Sequence, residues 1–218
     1  MKTDKQLLED VQAELSSDPS IDEHRILVSV KDGIVTLAGQ TRSFLEKWSA
    51  EKLVKKVAGV RAIANEIDVL LGADGVRTDQ EIAEAAATSL RSNISVPYHD
   101  VKVVVQDGWV SLEGRVEYWY QRNAAENALR HLPGIKGITD NVIITPRVYE
   151  GDIRGRIKQA FKRHASIDAD HVKVTVKDGV VTLTGEVDTF QEVEDAESAA
   201  WAAPGVASVQ NQLSVHPH

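Results

Sequence analysis

Hydrophobic residues in this chain follow two periodicities, and the same succession of periodicities occurs three times. Near the start, apolar residues spaced by four at Leu7, Val11 and Leu15 predict one face of a helix. The equivalent stripes in the two later copies are Ile82, Ala86 and Leu90, and then Ile153, Ile157 and Phe161. Three copies of a unit of about seventy residues indicate a binding or scaffolding array and not a single catalytic cleft.

A β-hairpin follows the first helix in every copy. Apolar and polar residues alternate on both sides of an Asp-Gly pair, which is typical of strands with one buried face. The pairs are Asp32-Gly33, Asp107-Gly108 and Asp178-Gly179. A two-residue Asp-Gly turn favours type I′, whose central residues both take positive φ. That turn sets a register in which Val28 lies opposite Leu37, with both side chains on the core face.

A second helix and a third strand complete each copy. In the first copy the helix is predicted from about Ser43 to Val57, and Gly59 is expected to end it at its C-terminal cap. The last strand is predicted around Asn65, with Asn141 and Asn211 as its counterparts in the later copies. Because a helix connects the second and third strands, we expect them to run parallel.

The sequence therefore predicts an α+β fold of three tandem α-β-β-α-β units, each a small three-stranded mixed sheet packed on two helices. Strands of the first unit are expected near 25–31, 34–39 and 63–69. The predicted domains are 1–72, 73–146 and 147–218. One glycine in each unit is expected to end the second strand on the core face and, lacking Cβ, to let a helix approach closely. These glycines are Gly39, Gly114 and Gly185.

The complete series of elements resembles the BON domain, a family of bacterial proteins. The residues that carry the resemblance are the hairpin from Val28 to Gly39, the Ala-rich second helix, the Gly-Val or Gly-Ile pair after it, and the last strand with its Asn. The series covers nearly the whole chain three times, which makes it more specific than the hairpin alone. The resemblance implies an αββαβ fold, an association with osmotic and envelope stress, and a binding role that in some members concerns anionic phospholipid.

Charge and composition narrow the choice of partners. The 218 residues carry a formal net charge of −8, which argues against a general nucleic-acid binder because phosphate contacts need a basic surface. The chain has no cysteine, which excludes disulfides and thiolate chemistry. No apolar segment approaches the roughly 18–20 residues that span a bilayer, and no secretory signal is recognisable. We expect a protein that is not transmembrane and is cytoplasmic, or periplasmic if a leader has been removed.

No motif predicts an active site, a metal centre or a cofactor. The seven histidines lack the spacing of helical metal ligands, so loop histidines are the preferred interpretation. The glycines form neither of the common phosphate-binding patterns. No pair of acidic residues has the apolar surroundings expected of an acid–base pair. We therefore expect no metal, no cofactor and no enzymatic activity.

The third copy separates its charges between its two helices. Its first helix is basic and its second is acidic from Glu186 onwards. The basic candidates for a contact are Arg154, Lys158, Lys162, Arg156 and Arg163. Two solvated helix faces are the plain interpretation. One alternative is binding to anionic lipid headgroups, where each cation contributes about 1 kcal/mol. Another is docking of the acidic helix on the basic helix of another copy or chain.

The second copy carries an unusual number of aromatic residues. Trp109 stands on the outward face of the predicted sheet, where the other copies have smaller aliphatic residues. Tyr118 and Tyr120 flank Trp119, which is expected to be in the core. Burial of Trp109 against another copy is the preferred interpretation, while a membrane interface or a partner surface are the alternatives. The equivalent face of the third copy is rich in Lys and Thr and is expected to be solvated.

These features predict a non-catalytic, stress-associated protein that binds anionic phospholipid or another envelope component. The alternative is a protein-interaction scaffold or chaperone-like stress factor without lipid binding. Binding of nucleic acid is not expected in either case.

Overall fold

A computed structural model describes residues 2–72, 75–145, 152–163 and 171–216. The helices are α1 (Asp4–Ser16), α2 (Phe44–Lys55), α3 (Asp79–Ser92), α4 (Trp119–Leu129), α5 (Ile153–Arg163) and α6 (Phe190–Trp201). The strands are β1 (Ile26–Lys31), β2 (Ile34–Thr41), β3 (Ala62–Val69), β4 (Val101–Gln106), β5 (Trp109–Val116), β6 (Gly137–Ile144), β7 (Val172–Lys177), β8 (Val180–Val187) and β9 (Ser208–Val215). The predicted α+β fold of three units is confirmed.

The hairpins take the predicted register and turn type. Val28 lies opposite Leu37 in the first copy, and Val174 lies opposite Leu183 in the third. The three turn aspartates have φ between 50° and 53°, and the glycines after them have φ between 76° and 82°. Positive φ at both central residues defines the type I′ turn, whose twist matches that of the strands it joins.

Each copy forms its own three-stranded sheet with a core between the sheet and two helices. The strand orders are β1-β2-β3, β4-β5-β6 and β7-β8-β9. Strands β5 and β6 are parallel, as are β8 and β9, in agreement with a helical crossover. In the first copy, Val35 and Leu37 of β2 are fully buried in one cluster with the α1 stripe of Leu7, Val11 and Leu15.

An aspartate in the first turn of the first helix holds the hairpin turn. The carboxylate of Asp4 accepts hydrogen bonds from the backbone N–H of Asp32 at 2.8 Å and of Gly33 at 3.0 Å. Asp79 accepts the equivalent pair in the second copy, at 2.7 and 2.9 Å. These bonds satisfy two turn donors and fix the helix against the hairpin. The equivalent position in the third copy, Glu150, lies outside the described residues.

The glycine near the end of each second strand has a different role from the one predicted. Strand β2 continues past Gly39 to Thr41, so this glycine does not end the strand. Its φ is 120°, and a Cβ added there would overlap the backbone carbonyl oxygen of Arg25, just before β1. Gly114 and Gly185 also have positive φ, of 141° and 138°. A Cβ added to either would likewise overlap the carbonyl oxygen of the residue just before the neighbouring strand. The close approach is therefore made by the residue just before the neighbouring strand, and not by one of the two α-helices that pack on the sheet.

The third strand of the second copy is offset by one residue from the prediction. Asp140, and not Asn141, takes the position in its sheet that Asn211 takes in the third copy. The side chain of Asp140 pairs with Arg122 of α4, with 2.8 Å between Oδ2 and Nε. Because a shift of one residue moves a side chain to the other face of a strand, Asn141 is exposed on the outward face.

The chain divides into two compact units. The first compact unit comprises 1–39, 48–67 and 148–218, and it contains the third sheet and all of the first sheet except the last residues of β2 and β3. The second compact unit comprises 40–47 and 68–147, and it contains the second sheet. The limits of the three sequence-defined domains stay a prediction.

Candidate interaction surfaces

The outward face of the second sheet carries large apolar side chains. Val104 on β4, Trp109 on β5 and Ile143 on β6 are between 51% and 55% exposed. Val104 lies opposite Ser111, two residues beyond Trp109, so Val104 and Trp109 are diagonal neighbours within reach of each other. The outward positions of β7 in the third sheet are Lys173, Thr175 and Lys177, all exposed. The predicted solvation of that face is confirmed at these three positions.

Trp109 packs on its own sheet and is 51% exposed, so the substantial burial predicted for it is wrong. Its neighbour across the parallel pairing is Gly137 on β6. A Cβ added to Gly137 would overlap the six-membered ring of the indole, so the ring lies directly over the glycine backbone. Because Gly137 has no side chain, the indole ring packs directly on the backbone of β6, and about half of the Trp109 side chain remains exposed. Trp109 therefore presents an exposed apolar surface whose position is fixed by packing on its own sheet.

A shallow depression lies farther along the same sheet. It has a volume of about 420 Å³ and is lined by Glu113, Gly114, Arg115, Asn141 and Ile143. Within the described ranges, neither Glu113 nor Arg115 forms an ion pair with another side chain. The sequence did not predict this depression, because the alignment of Asn141 with Asn211 was wrong by one residue and so gave the wrong face for the side chains of β6. The alignment of Asp140 with Asn211 would have placed Ile143 on the outward face, where it lines the depression.

The two tyrosines beside α4 form a second aromatic feature. Tyr118 immediately precedes the helix and Tyr120 is its second residue, and both are exposed. Their rings stack, with centroids 5.6 Å apart and an interplanar angle of 21°. Trp119 between them is only partly buried, so its predicted core position holds in part. The aromatic residues of the second copy thus lie at the surface or close to it.

Helix α5 presents a basic surface in the third copy. Its buried stripe is Ile153, Ile157 and Phe161, as predicted. The five basic candidates, Arg154, Lys158, Lys162, Arg156 and Arg163, are all exposed. Residues four apart share a helix face, so Arg154, Lys158 and Lys162 form one row along the edge of the buried stripe. We call these three residues the basic row.

The charges of the basic row are not neutralised by the described part of the protein. None of its three members forms an ion pair with a described acidic side chain. Asp152, the acidic residue just before α5, accepts a hydrogen bond from the N–H of Gly155 at 2.8 Å and so caps the start of the helix. The basic row is therefore available to an external anion.

Helix α6 carries acidic residues, several of which already make internal contacts. Thr189 caps the helix by accepting a hydrogen bond from the N–H of Glu192 at 3.1 Å. Glu197 accepts a hydrogen bond from the Asn211 amide at 3.1 Å, which connects α6 to β9. These acidic side chains stabilise the third copy itself.

Lys55 of α2 connects the first and third copies within the first compact unit. Its Nζ lies 2.9 Å from Glu51 and 2.7 Å from Glu194 of α6. Burial alone would lower the pKa of Lys55, but hydrogen bonds to Glu194 and Glu51 outweigh burial and raise the pKa above its usual 10.5. Phe190 of α6 packs beside this contact on the apolar cluster of the first copy. The acidic helix thus contacts α2 of the first copy. Its docking on the basic helix of another chain stays a prediction.

Neither a metal-ligand cluster nor a membrane span occurs among the described residues. In 2–72, 75–145, 152–163 and 171–216, no group of three or more histidine and acidic side chains could hold a metal ion. Across the same residues, every helix is too short or too polar to cross a bilayer.

Comparison with known proteins gives a repeated family match. The family described as "BON domain" matches residues 3–70, 78–146 and 149–217. The osmotically-inducible protein Y of Escherichia coli (strain K12) is 29% identical over 144 residues, which cover 62% of this chain and 71% of that protein. A 21 kDa hemolysin of Actinobacillus pleuropneumoniae is 32% identical over 138 residues, with the same 62% and 71% coverage. A solved structural protein of the type III secretion system of Chlamydia trachomatis aligns with 98% of this chain and 93% of its own at 16% identity, but its TM-score of 0.27 is too low to support an argument.

Proposed function

The chain belongs to the BON domain family, and on that premise we propose that it is a non-catalytic, envelope stress-associated protein that binds an anionic phospholipid surface through its third copy. Its relation to an osmotically-inducible protein supports the association with osmotic stress. The observation that carries the lipid proposal is the basic row on α5, which is exposed and has no ion-pair partner among the described side chains.

The geometry of α5 favours a peripheral contact with headgroups. Its apolar stripe is buried in the core of the third copy, so the helix has no apolar face left to insert into a bilayer. The long stems of Arg154, Lys158 and Lys162 can lie along the protein surface while their charges reach the lipid phosphates. At about 1 kcal/mol for each cation, the basic row contributes about 3 kcal/mol, or roughly a hundredfold in affinity.

The net negative charge of the chain does not oppose such a contact strongly. Charges in physiological salt are screened over a Debye length of about 8 Å. Acidic residues farther than this from the lipid surface have little effect, so the local charge of α5 decides the interaction. We therefore expect binding that weakens steeply as salt increases.

Liposome flotation tests the proposal. The full chain is expected to float with vesicles containing an anionic phospholipid and to stay behind with neutral phosphatidylcholine vesicles. Reversal of the basic row by Arg154→Glu, Lys158→Glu and Lys162→Glu should abolish flotation while leaving the circular dichroism spectrum unchanged. A folded triple variant that floats as well as the parent would exclude α5 as the contact.

A matched control separates the position of the charges from their number. The double variant Arg154→Glu/Lys158→Glu changes the net charge by the same amount as Lys173→Glu/Lys177→Glu on β7 of the same copy. The α5 variant should lose most of the binding, and the β7 variant should lose little. Equal losses would indicate a diffuse effect of net charge and would reject a specific contact at α5.

A protein-interaction scaffold is the second candidate function, and a separate observation favours it. The outward face of the second sheet exposes Val104, Trp109 and Ile143, and exposed Trp residues are typical of protein interfaces. No flotation with anionic vesicles at low salt, under conditions where the chain is folded, would favour this scaffold over lipid binding.

A further inference from the structure

The three hairpin turns share a chemically labile dipeptide. In an Asp-Gly pair, the backbone nitrogen of glycine can attack Cγ of the aspartate. A bond forms between the nitrogen and Cγ, the N–H proton and the carboxyl hydroxyl leave as water, and a five-membered succinimide results. Water then opens either ring carbonyl and gives back aspartate or gives isoaspartate, in which the backbone runs through the side-chain carbon. No oxidant, cofactor or enzyme is needed.

We propose that Asp4 and Asp79 protect the first two Asp-Gly turns from this isomerisation. The attacking atom in the first turn is the nitrogen of Gly33, and its N–H is held by the carboxylate of Asp4 at 3.0 Å. In the second turn the N–H of Gly108 is held by Asp79 at 2.9 Å. Each carboxylate also accepts a hydrogen bond from the preceding aspartate N–H, so both peptide groups of the turn are fixed.

Two physical effects make such a hydrogen bond protective. The glycine nitrogen must leave the clamping carboxylate before it can approach Cγ, and charge-assisted hydrogen bonds are stronger than neutral ones. The nitrogen must also lose its proton to become nucleophilic, and a negative charge beside it disfavours the resulting anion. Gly33 and Gly108 are moreover buried, while Gly179 of the third turn is partly exposed.

Isomerisation at these turns would disrupt the hairpins, so protection of the turns preserves the fold. Isoaspartate adds one backbone atom to a loop of two residues. The hairpin register depends on that loop length, and it places Val28 opposite Leu37 in the core. A modified turn could therefore not keep both strands in register.

Ageing of the full chain and its single variants at neutral pH and physiological temperature tests the proposal. Isoaspartate at residues 32, 107 and 178 is quantified in the same samples by peptide mapping, with heavy-oxygen water as a label for succinimide opening. Asp4→Ala is expected to raise the rate at residue 32 at least about tenfold, given the usual strength of hydrogen bonds to charged groups. Residues 107 and 178 should not change. Asp79→Ala should raise the rate at residue 107 alone.

Controls in the same helices separate local protection from loss of stability. Thr3 and Thr78 cap α1 and α3 without contacting the turns, so Thr3→Ala and Thr78→Ala weaken the same elements. These variants should leave isoaspartate formation at parental rates. A rise equal to that in the aspartate variants, or an unchanged or lower rate in Asp4→Ala, overturns the proposal. If an alanine variant does not fold, Asp4→Asn and Asp79→Asn are measured with the same expectation.

Discussion

The second and third copies share the same fold and core but differ in the chemistry of their exposed surfaces. Leu112 and Leu183 occupy equivalent core positions, and both are fully buried. The outward sheet positions filled by Val104, Trp109 and Ile143 in the second copy are Thr175, Val180 and Ser214 in the third. The third copy instead presents its positive charge on α5. Positions that face the core are constrained by the fold, so function in such an array has to be sought where the copies differ.

Core truncations should show the shared framework with the largest effects. Leu112→Ala and Leu183→Ala each remove a fully buried side chain and are expected to destabilise their own copy by about 2–5 kcal/mol. Hydrogen exchange measured on peptides from each copy can follow the two effects separately. If one substitution left the protection of its copy unchanged, the two cores would not be equivalent and the comparison would fail.

Substitution of the outward residues should separate the two surfaces with an intermediate effect. A fully buried Trp costs about 3–5 kcal/mol when replaced by Ala. Because Trp109 rests on Gly137 and is half exposed, we expect Trp109→Ala to cost about 1–2 kcal/mol. The equivalent Val180→Ala in the third copy should cost less.

Urea unfolding of both variants provides the measurement, with Trp109→Phe as a control that keeps an aromatic ring over the glycine. A loss of 3 kcal/mol or more, roughly the value for a buried aromatic, would show that Trp109 is covered in solution. It would then no longer be a free surface that distinguishes the second copy.

The contact of the third copy with the first should have the smallest effect. A double-mutant cycle with Lys55→Met and Glu194→Ala is expected to give a coupling energy of about 0.5–1 kcal/mol, since Glu194 is half exposed. The folded-state pKa of Lys55 is raised, so its contribution is complete below 10.5 and is lost as pH rises through the higher folded value. The coupling should therefore be constant at neutral and mildly alkaline pH. Absence of coupling at neutral pH, where both side chains are charged, would show that Lys55 and Glu194 are not paired in solution.

Local patterns in the sequence predicted the framework. The Asp-Gly turn and the strict alternation of apolar and polar residues specify the same hairpin register. Because the two signals agree, the pairing of Val28 with Leu37 could be predicted, and the structure confirms it. The helix stripe ending in Phe161 was confirmed because a spacing of four defines a single helix face. The repeated series of helices and strands also predicted membership of the BON domain family, and the family match confirms it.

Features that depend on distant or ambiguous neighbours could not be predicted. Asp140 and Asn141 are adjacent polar residues, so polarity alone did not show which of them faces α4. The exposure of Trp109 depends on Gly137, a residue on a strand that comes after an intervening helix. The group that Gly39 approaches is the backbone carbonyl of Arg25, which no hydrophobic pattern identifies. The lipid contact, the cellular location and the domain limits stay predictions.

The division into two compact units sets an order of events during synthesis. The second compact unit contains no residue beyond 147, whereas the first is completed only by 148–218. At about 5–20 residues per second, ribosomes take several seconds to make that last stretch. During this interval the apolar cluster of the first copy lacks Phe190, which leaves that part of its surface open to misassembly with another nascent chain or to capture by a chaperone.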